Sequence, residues 1–234
     1  MATPNPIPLF TVPIPACDNH PGGSITITEP QPQVYLLTIH SPPDNRLTTA
    51  CCQSLLRALD LVEFSGPLLA PGCVVTTSSL PKFYSNGLDL THAAARGDTF
   101  WTDSLWALYR RLLTYPMPTV AWMNGHAFAG GLMLAMHHDY RVMNPARGFC
   151  CLNELDFGAP LKPAMSAVFR VKVPDPRVYR EMVLEAKREC LDLLDSHGRE
   201  EEKDRGWVRG EEERKARGKR EVEEWVKKDG KAKL

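Results

Sequence analysis

The sequence predicts an α/β fold in which a mainly parallel sheet is flanked by helices and followed by a charged helical tail. Three observations carry that expectation. A buried apolar run leads into a glycine-bearing turn and then a helical pattern twice, over 72–114 and over 119–137, the alternation that sets strands parallel with helices on their faces. A strand, turn and helix pattern over 34–64 precedes both repeats. Beyond Arg199 the composition changes: 24 of the last 36 residues are charged, with both signs mixed, which reads as a solvated helix laced by i,i+4 pairs, with a binding tail as the alternative.

Residues 1–33 are crowded with proline (Pro4, Pro6, Pro8, Pro13, Pro15, Pro21, Pro30 and Pro32). Proline removes backbone donors and fixes φ, so this stretch is expected to be extended and poorly ordered. Val34 to His40 is a β-branched and aromatic strand closed by the turn Ser41-Pro42-Pro43-Asp44-Asn45. Thr48 or Thr49 then caps a helix to about Phe64, with Leu55, Leu56, Leu59 and Val62 at helical spacing. Gly72 to Ser79 is a second strand, and Thr102 to Thr114 a helix ended by Pro116 and Pro118. Thr119 to Met123 is a third strand and Gly130 to His137 a short apolar helix. Tyr140 to Asn144 and Gly148 to Leu152 are short strands; Pro163 to Phe169 and Pro174 to Arg188 are helices, the latter with proline in its first turn. The expected division is 1–33, a core over 34–188, and a helical tail over 189–234.

Composition narrows the partners. Lys plus Arg (28) equal Asp plus Glu (28), so no overall basic field marks nucleic-acid binding, and partners are expected in a pocket. The seven cysteines form an odd set with no C-x-x-C spacing, which suits a reducing compartment. The longest apolar run, Ala127 to Met136, is far below the roughly 20 residues of a membrane span. No membrane association and no signal peptide are expected.

Chemistry concentrates in two glycine-bearing segments, Phe83 to Leu90 (FYSNGLDL) and Asn124 to Leu134 (NGHAFAGGLML). Each offers a backbone N–H where little side chain blocks a reacting carbonyl, and a pair of such donors is an oxyanion hole. Rival constellations are weaker. His137-His138-Asp139 lacks the spacing and added ligands of a metal site, so no metal is expected. A G-x-S-x-G nucleophile turn is absent.

These segments, with PTVAWMNGHAFAGGLMLAMHHDYRVMN and LNELDFGAPLKPAMSAVFR, resemble the enoyl-CoA hydratase/isomerase (crotonase) family over about Val34 to Arg188, above all its Δ3,Δ2-enoyl-CoA isomerase branch of fungi and plants. The resemblance implies a crotonase-like spiral of repeated β-β-α units. It implies oxyanion donors at the N–H groups of Leu88 and Gly130. Hydratases of the family carry a catalytic glutamate where this chain has Met133, and a thioether neither takes a proton nor orients water as a carboxylate does. Met133 also reads simply as a packed helix residue, or as a wall of the acyl pocket. The family's second glutamate corresponds to Glu154, implied as the sole base, against a surface or capping role. Some distant isomerases of the fold carry their base near position 162, here Lys162. The coenzyme A moiety of the substrate is implied to lie near Arg46 and Leu47 and along Asn86, Gly87, Asp89 and Leu90. Arg46 meets a phosphate in this reading and is an exposed loop arginine in the other; Asp89 is expected to bond its own turn.

The implied function is isomerisation of 3-enoyl-CoA to 2-enoyl-CoA in fatty-acid β-oxidation, with no cofactor beyond the coenzyme A of the substrate. The alternatives are an enoyl-CoA hydratase of the same fold and a non-catalytic acyl-CoA-binding paralogue. After Lys187 the family continues through a segment resembling A-x-x-A-G-I-V-D, whereas this chain passes from VLEAKR into ECLDLLDSHGREEE. We read that departure as a skipped exon or an altered gene model, with apolar surface left uncovered. A homotrimer or hexamer is the assembly that the resemblance implies. Ala232-Lys233-Leu234 resembles the S-K-L address read by the peroxisomal import receptor, so a peroxisomal location is expected, with cytosol or mitochondrion as alternatives.

Overall fold

The computed structural model describes residues 7–65, 69–144, 146–152 and 197–228. The chain divides into two compact units, Met1–Cys151 with Val222–Leu234, and Leu152–Glu221. Both sheets lie in the first.

Strands β1 (Phe10–Ile14) and β2 (Gly23–Gln31) lie within the proline-rich beginning and pair antiparallel. The expectation of a poorly ordered stretch over 1–33 is therefore corrected for these residues. The physical reason is alternation: Phe10, Val12, Ile14, Ile25 and Ile27 are buried, and that apolar face outweighs the prolines between them. Pro13 lies on β1, the edge strand, where a missing N–H is tolerated, and Pro30 falls where the β2 register shifts.

The main sheet runs β1-β2-β3-β4-β6-β8, with β3 (Val34–His40), β4 (Cys73–Ser78), β6 (Thr119–Met123) and β8 (Tyr140–Met143) parallel. A second parallel sheet holds β5 (Phe83–Ser85), β7 (His126–Phe128) and β9 (Cys150–Cys151) in the order β5-β7-β9. Each repeat thus sends its first strand to one sheet and its second to the other. Helices α2 (Leu90–Arg96) and α5 (Gly130–Met136) complete the units β4-β5-α2 and β6-β7-α5.

Helix α1 (Thr49–Phe64) starts at Thr48, whose hydroxyl accepts from the Cys51 N–H at 3.2 Å. It buries Cys51, Cys52, Leu55, Ala58, Leu59 and Val62, while Leu56 is half-buried. The expected helix over 102–114 is longer and broken. It comprises α3 (Asp98–Phe100), a π-helical stretch Trp101–Trp106 and α4 (Ala107–Leu113), with Gly97 at φ 55° separating it from α2. Arg111 of α4, fully buried, reaches Asp60 at 3.0 Å and also Glu63 of α1, tying the two helices through charge rather than through apolar contact alone.

The tail forms α6 (His197–Lys228), and its last turns are not solvated on every side. Val222 is buried, and the Trp225 ring packs edge-on to Phe10 of β1 with centroids 5.7 Å apart. The expected helices at 163–169 and 174–188, the 188/189 boundary, Glu154, Lys162 and the last three residues all lie outside the described residues.

Candidate active site

The two glycine segments meet. Gly87 has φ +83°, and a Cβ there would sit 2.8 Å from the Phe128 carbonyl oxygen and 3.1 Å from the Gly130 nitrogen. A Cβ on Gly130 would sit 2.8 Å from Leu88 Cδ2 and 3.3 Å from the Leu88 nitrogen. At Gly87 backbone and a positive φ exclude a side chain, and at Gly130 the Leu88 side chain occupies the space a Cβ would take.

The direction of each N–H follows from the carbonyl of the same peptide. The Gly87 carbonyl accepts from Leu47 N–H at 2.8 Å, so the Leu88 N–H, trans to it, points away from Leu47. The Ala129 carbonyl accepts from Met133 N–H at 3.0 Å inside α5, so the Gly130 N–H points out of the helix start. Among the described residues no acceptor is paired with either N–H. Two neighbouring, unengaged donors can hold an oxygen that gains negative charge.

Ala129 enforces the second orientation from an uncommon backbone position, φ 47° and ψ −121°. For a residue with a Cβ such a conformation costs on the order of 1–3 kcal/mol. It persists because Ala129 N–H donates to the Cys151 carbonyl at 2.8 Å while its own carbonyl opens α5. The Tyr109 hydroxyl donates to the Gly130 carbonyl at 3.2 Å, and its ring stacks on His137 with centroids 4.0 Å apart. His137 donates from Nδ1 to the Met133 carbonyl at 2.7 Å, and burial holds its imidazole below the ordinary range.

The remaining residues of the site form a frame around Leu88. Arg46 donates from Nη1 to the Leu88 carbonyl at 2.9 Å and from Nε to Asp44 at 3.1 Å. Asn86 donates to the same Asp44 oxygen at 2.6 Å. Leu47 is buried and bridges in parallel to Leu88. Asp89 is the N-cap of α2: one carboxylate oxygen accepts from His92 N–H at 2.8 Å and the other bonds His20 Nε2 at 2.7 Å. The His92 N–H holds the Asp89 carboxyl below its ordinary range, aided by the His20 ring against the opposing effect of burial. Leu90 is exposed, whereas Met133 is buried within α5.

His137 and His138 turn their Nδ1 atoms to backbone carbonyls, and Asp139 accepts from Thr119 N–H at 2.8 Å; each has a structural partner. A different trio brings ligand-type atoms together: Cys17, Asp18 and His92 lie within 4.8 Å of one another. Thr49 N–H donates to His92 Nε2 at 3.0 Å, which leaves the ring proton on Nδ1, where it bonds Asp18. Both imidazole nitrogens are therefore committed. His20, Tyr109 and Ala129 carried no sequence signal, because their partners lie 69, 21 and 22 residues away.

Comparison with known proteins follows the same lines. The profile of the enoyl-CoA hydratase/isomerase family matches residues 29–190. The chain is 33% identical over 166 residues to enoyl-CoA delta isomerase 3 of Arabidopsis thaliana, covering 68% of each chain. It is 32% identical over 168 residues to the peroxisomal enoyl-CoA delta isomerase 2 of the same plant, covering 68% of this chain and 69% of that one. A solved enoyl-CoA isomerase of Mycobacterium tuberculosis superposes with a TM-score of 0.54 at 26% identity, over 62% of this chain and 61% of that one. An enoyl-CoA hydratase of Geobacillus kaustophilus, 18% identical, shares the fold with a TM-score of 0.52 over 89% of this chain and 90% of its own.

Proposed function

The chain belongs to the enoyl-CoA hydratase/isomerase family, and from that premise we propose that it is a Δ3,Δ2-enoyl-CoA isomerase of fatty-acid degradation. Its fold is the crotonase fold. The thioester carbonyl of a 3-enoyl-CoA sits against the N–H groups of Leu88 and Gly130. Glu154 removes a proton from C2, the π electrons shift to give a dienolate held by those two donors, and the same carboxyl returns the proton at C4. The double bond moves to C2–C3 and no water is consumed. Each donor stabilises the developing oxyanion by roughly 3 to 4 kcal/mol.

The observation that carries this reading is the pair of N–H groups with no acceptor among the described residues, together with a buried methionine at 133. That arrangement supports an enolate and disfavours placing water across a double bond. Peroxisomal import through Ala232-Lys233-Leu234 belongs to the same proposal, as does an assembly of several copies. Relatives named peroxisomal and mitochondrial both match this chain.

Glu154→Gln is expected to lower conversion of 3-enoyl-CoA to 2-enoyl-CoA by at least about 100-fold while binding of a saturated acyl-CoA persists. Retained turnover would remove Glu154 from the mechanism. Incubation with 2-enoyl-CoA tests the chemistry from the other side: formation of a 3-hydroxyacyl product would make the chain a hydratase.

A further inference from the structure

We propose that His20 is a positioning residue for the reacting carbonyl, acting through Asp89 to hold the peptide that carries the Leu88 N–H. This inference rests on the reading of Leu88 as an oxyanion donor. Asp89 follows Leu88 directly, and its carboxylate has both oxygens engaged, one by the start of α2 and the other by His20. The chain direction after Leu88 is therefore set by a side chain held at two points.

His20 lies in the loop between β1 and β2, 69 residues from Asp89. That loop is itself tightly built. Cys17 and His20 exchange backbone hydrogen bonds at 3.1 and 2.8 Å, Asp18 takes φ 50° and Gly22 φ 84°. The same loop grips α2 a second time through Asp18, which accepts from His92 Nδ1. Asp89 and His92 are one helical turn apart, so Asp18 and His20 meet α2 on one face. The Thr49 N–H and hydroxyl, at 3.0 and 2.9 Å from His92 Nε2, fix the His92 tautomer that this second contact needs.

The His20 ring is an expensive way to fill space. Its Nε2 serves Asp89, while its buried Nδ1 has no partner among the described residues. An apolar side chain would fill the place without an orphaned nitrogen. A hydrogen bond to a carboxylate is among the stronger kinds, and here it acts one residue from a donor whose contribution depends on its aim.

The test uses the full chain and three variants. His20→Phe fills the space without a donor, His20→Gln restores an N–H donor, and His20→Ala removes both. The readouts are kcat and KM for the isomerisation, thermal stability, and the infrared carbonyl band of a bound saturated acyl-CoA carrying 13C at the thioester carbon. His20→Phe is expected to lower kcat by about 10-fold with KM within about twofold, and to move the band toward its position in free thioester. His20→Gln is expected to recover most of both. A His20→Phe protein with wild-type kcat and band overturns the inference, as does a loss that Gln fails to reverse. If His20→Ala unfolds, Phe against Gln decides alone. A wild-type protein that shifts the band without isomerising substrate overturns the proposed activity and leaves the positioning role to be decided by the band; one that does neither overturns both.

Discussion

Gly130 shows how little room the site leaves for variation. A Cβ there would collide with the Leu88 side chain at 2.8 and 2.9 Å and stand 3.3 Å from the Leu88 nitrogen, so Leu88 must shift beside its own N–H. Gly130→Ala is therefore expected to cost roughly 100-fold in kcat, the loss of about one oxyanion donor, with a fall in thermal stability of only a few degrees. Steady-state kinetics beside a melting curve checks it, and an active Gly130→Ala enzyme would contradict the close approach. The glycine itself was legible in the sequence, since a G-G pair before an apolar run marks a turn into a helix. Ala129 was not. Its φ of 47° is a conformation usually left to glycine, so residue type pointed the wrong way and the neighbouring contacts decided.

Elements are joined across the two sheets by one buried chain of hydrogen bonds. The Tyr84 hydroxyl of β5 donates to Thr76 of β4 at 2.8 Å, Thr76 donates to His138 Nε2 at 3.0 Å, and His138 Nδ1 donates to the Leu134 carbonyl of α5 at 2.9 Å. Burial drives this imidazole down to about 4 from the ordinary 6.5, so it is neutral in the fold while the unfolded chain still takes up a proton. Its contribution to stability is complete above pH 6.5 and is lost as pH falls from 6.5 to about 4. The decline is expected to reach roughly 3 kcal/mol. Urea unfolding from pH 7 to 4 measures it, and His138→Gln should flatten that part of the profile; an unchanged slope would refute the assignment. Helices α1 and α5 and strands β3, β4, β6 and β8 were legible by periodicity. The run Gly148 to Leu152 was legible and holds β9, whereas β5 and β7, three residues each, are shorter than any period can resolve, and only pairing reveals them.

For the molecule as a whole, the notable closure is at its beginning. β1 is an edge strand of the main sheet, and Trp225 of α6 packs on Phe10 within it. Trp225→Ala is expected to destabilise this unit by about 1–2 kcal/mol and to speed hydrogen exchange of β1 amides more than those of β4. Equal protection in both proteins would show that α6 contributes nothing to the sheet edge. From the sequence alone came α1, α5 and strands β3, β4, β6, β8 and β9, the two glycine segments and the methionine at 133, because burial periodicity, turn chemistry and side-chain type are local properties. Only the tertiary structure decided that the proline-rich beginning supplies two strands, that His20 and Asp89 meet, and that the Leu88 and Gly130 N–H groups lie side by side. Those facts depend on partners many residues apart, and a contact between distant residues leaves no spacing in the chain from which to read it.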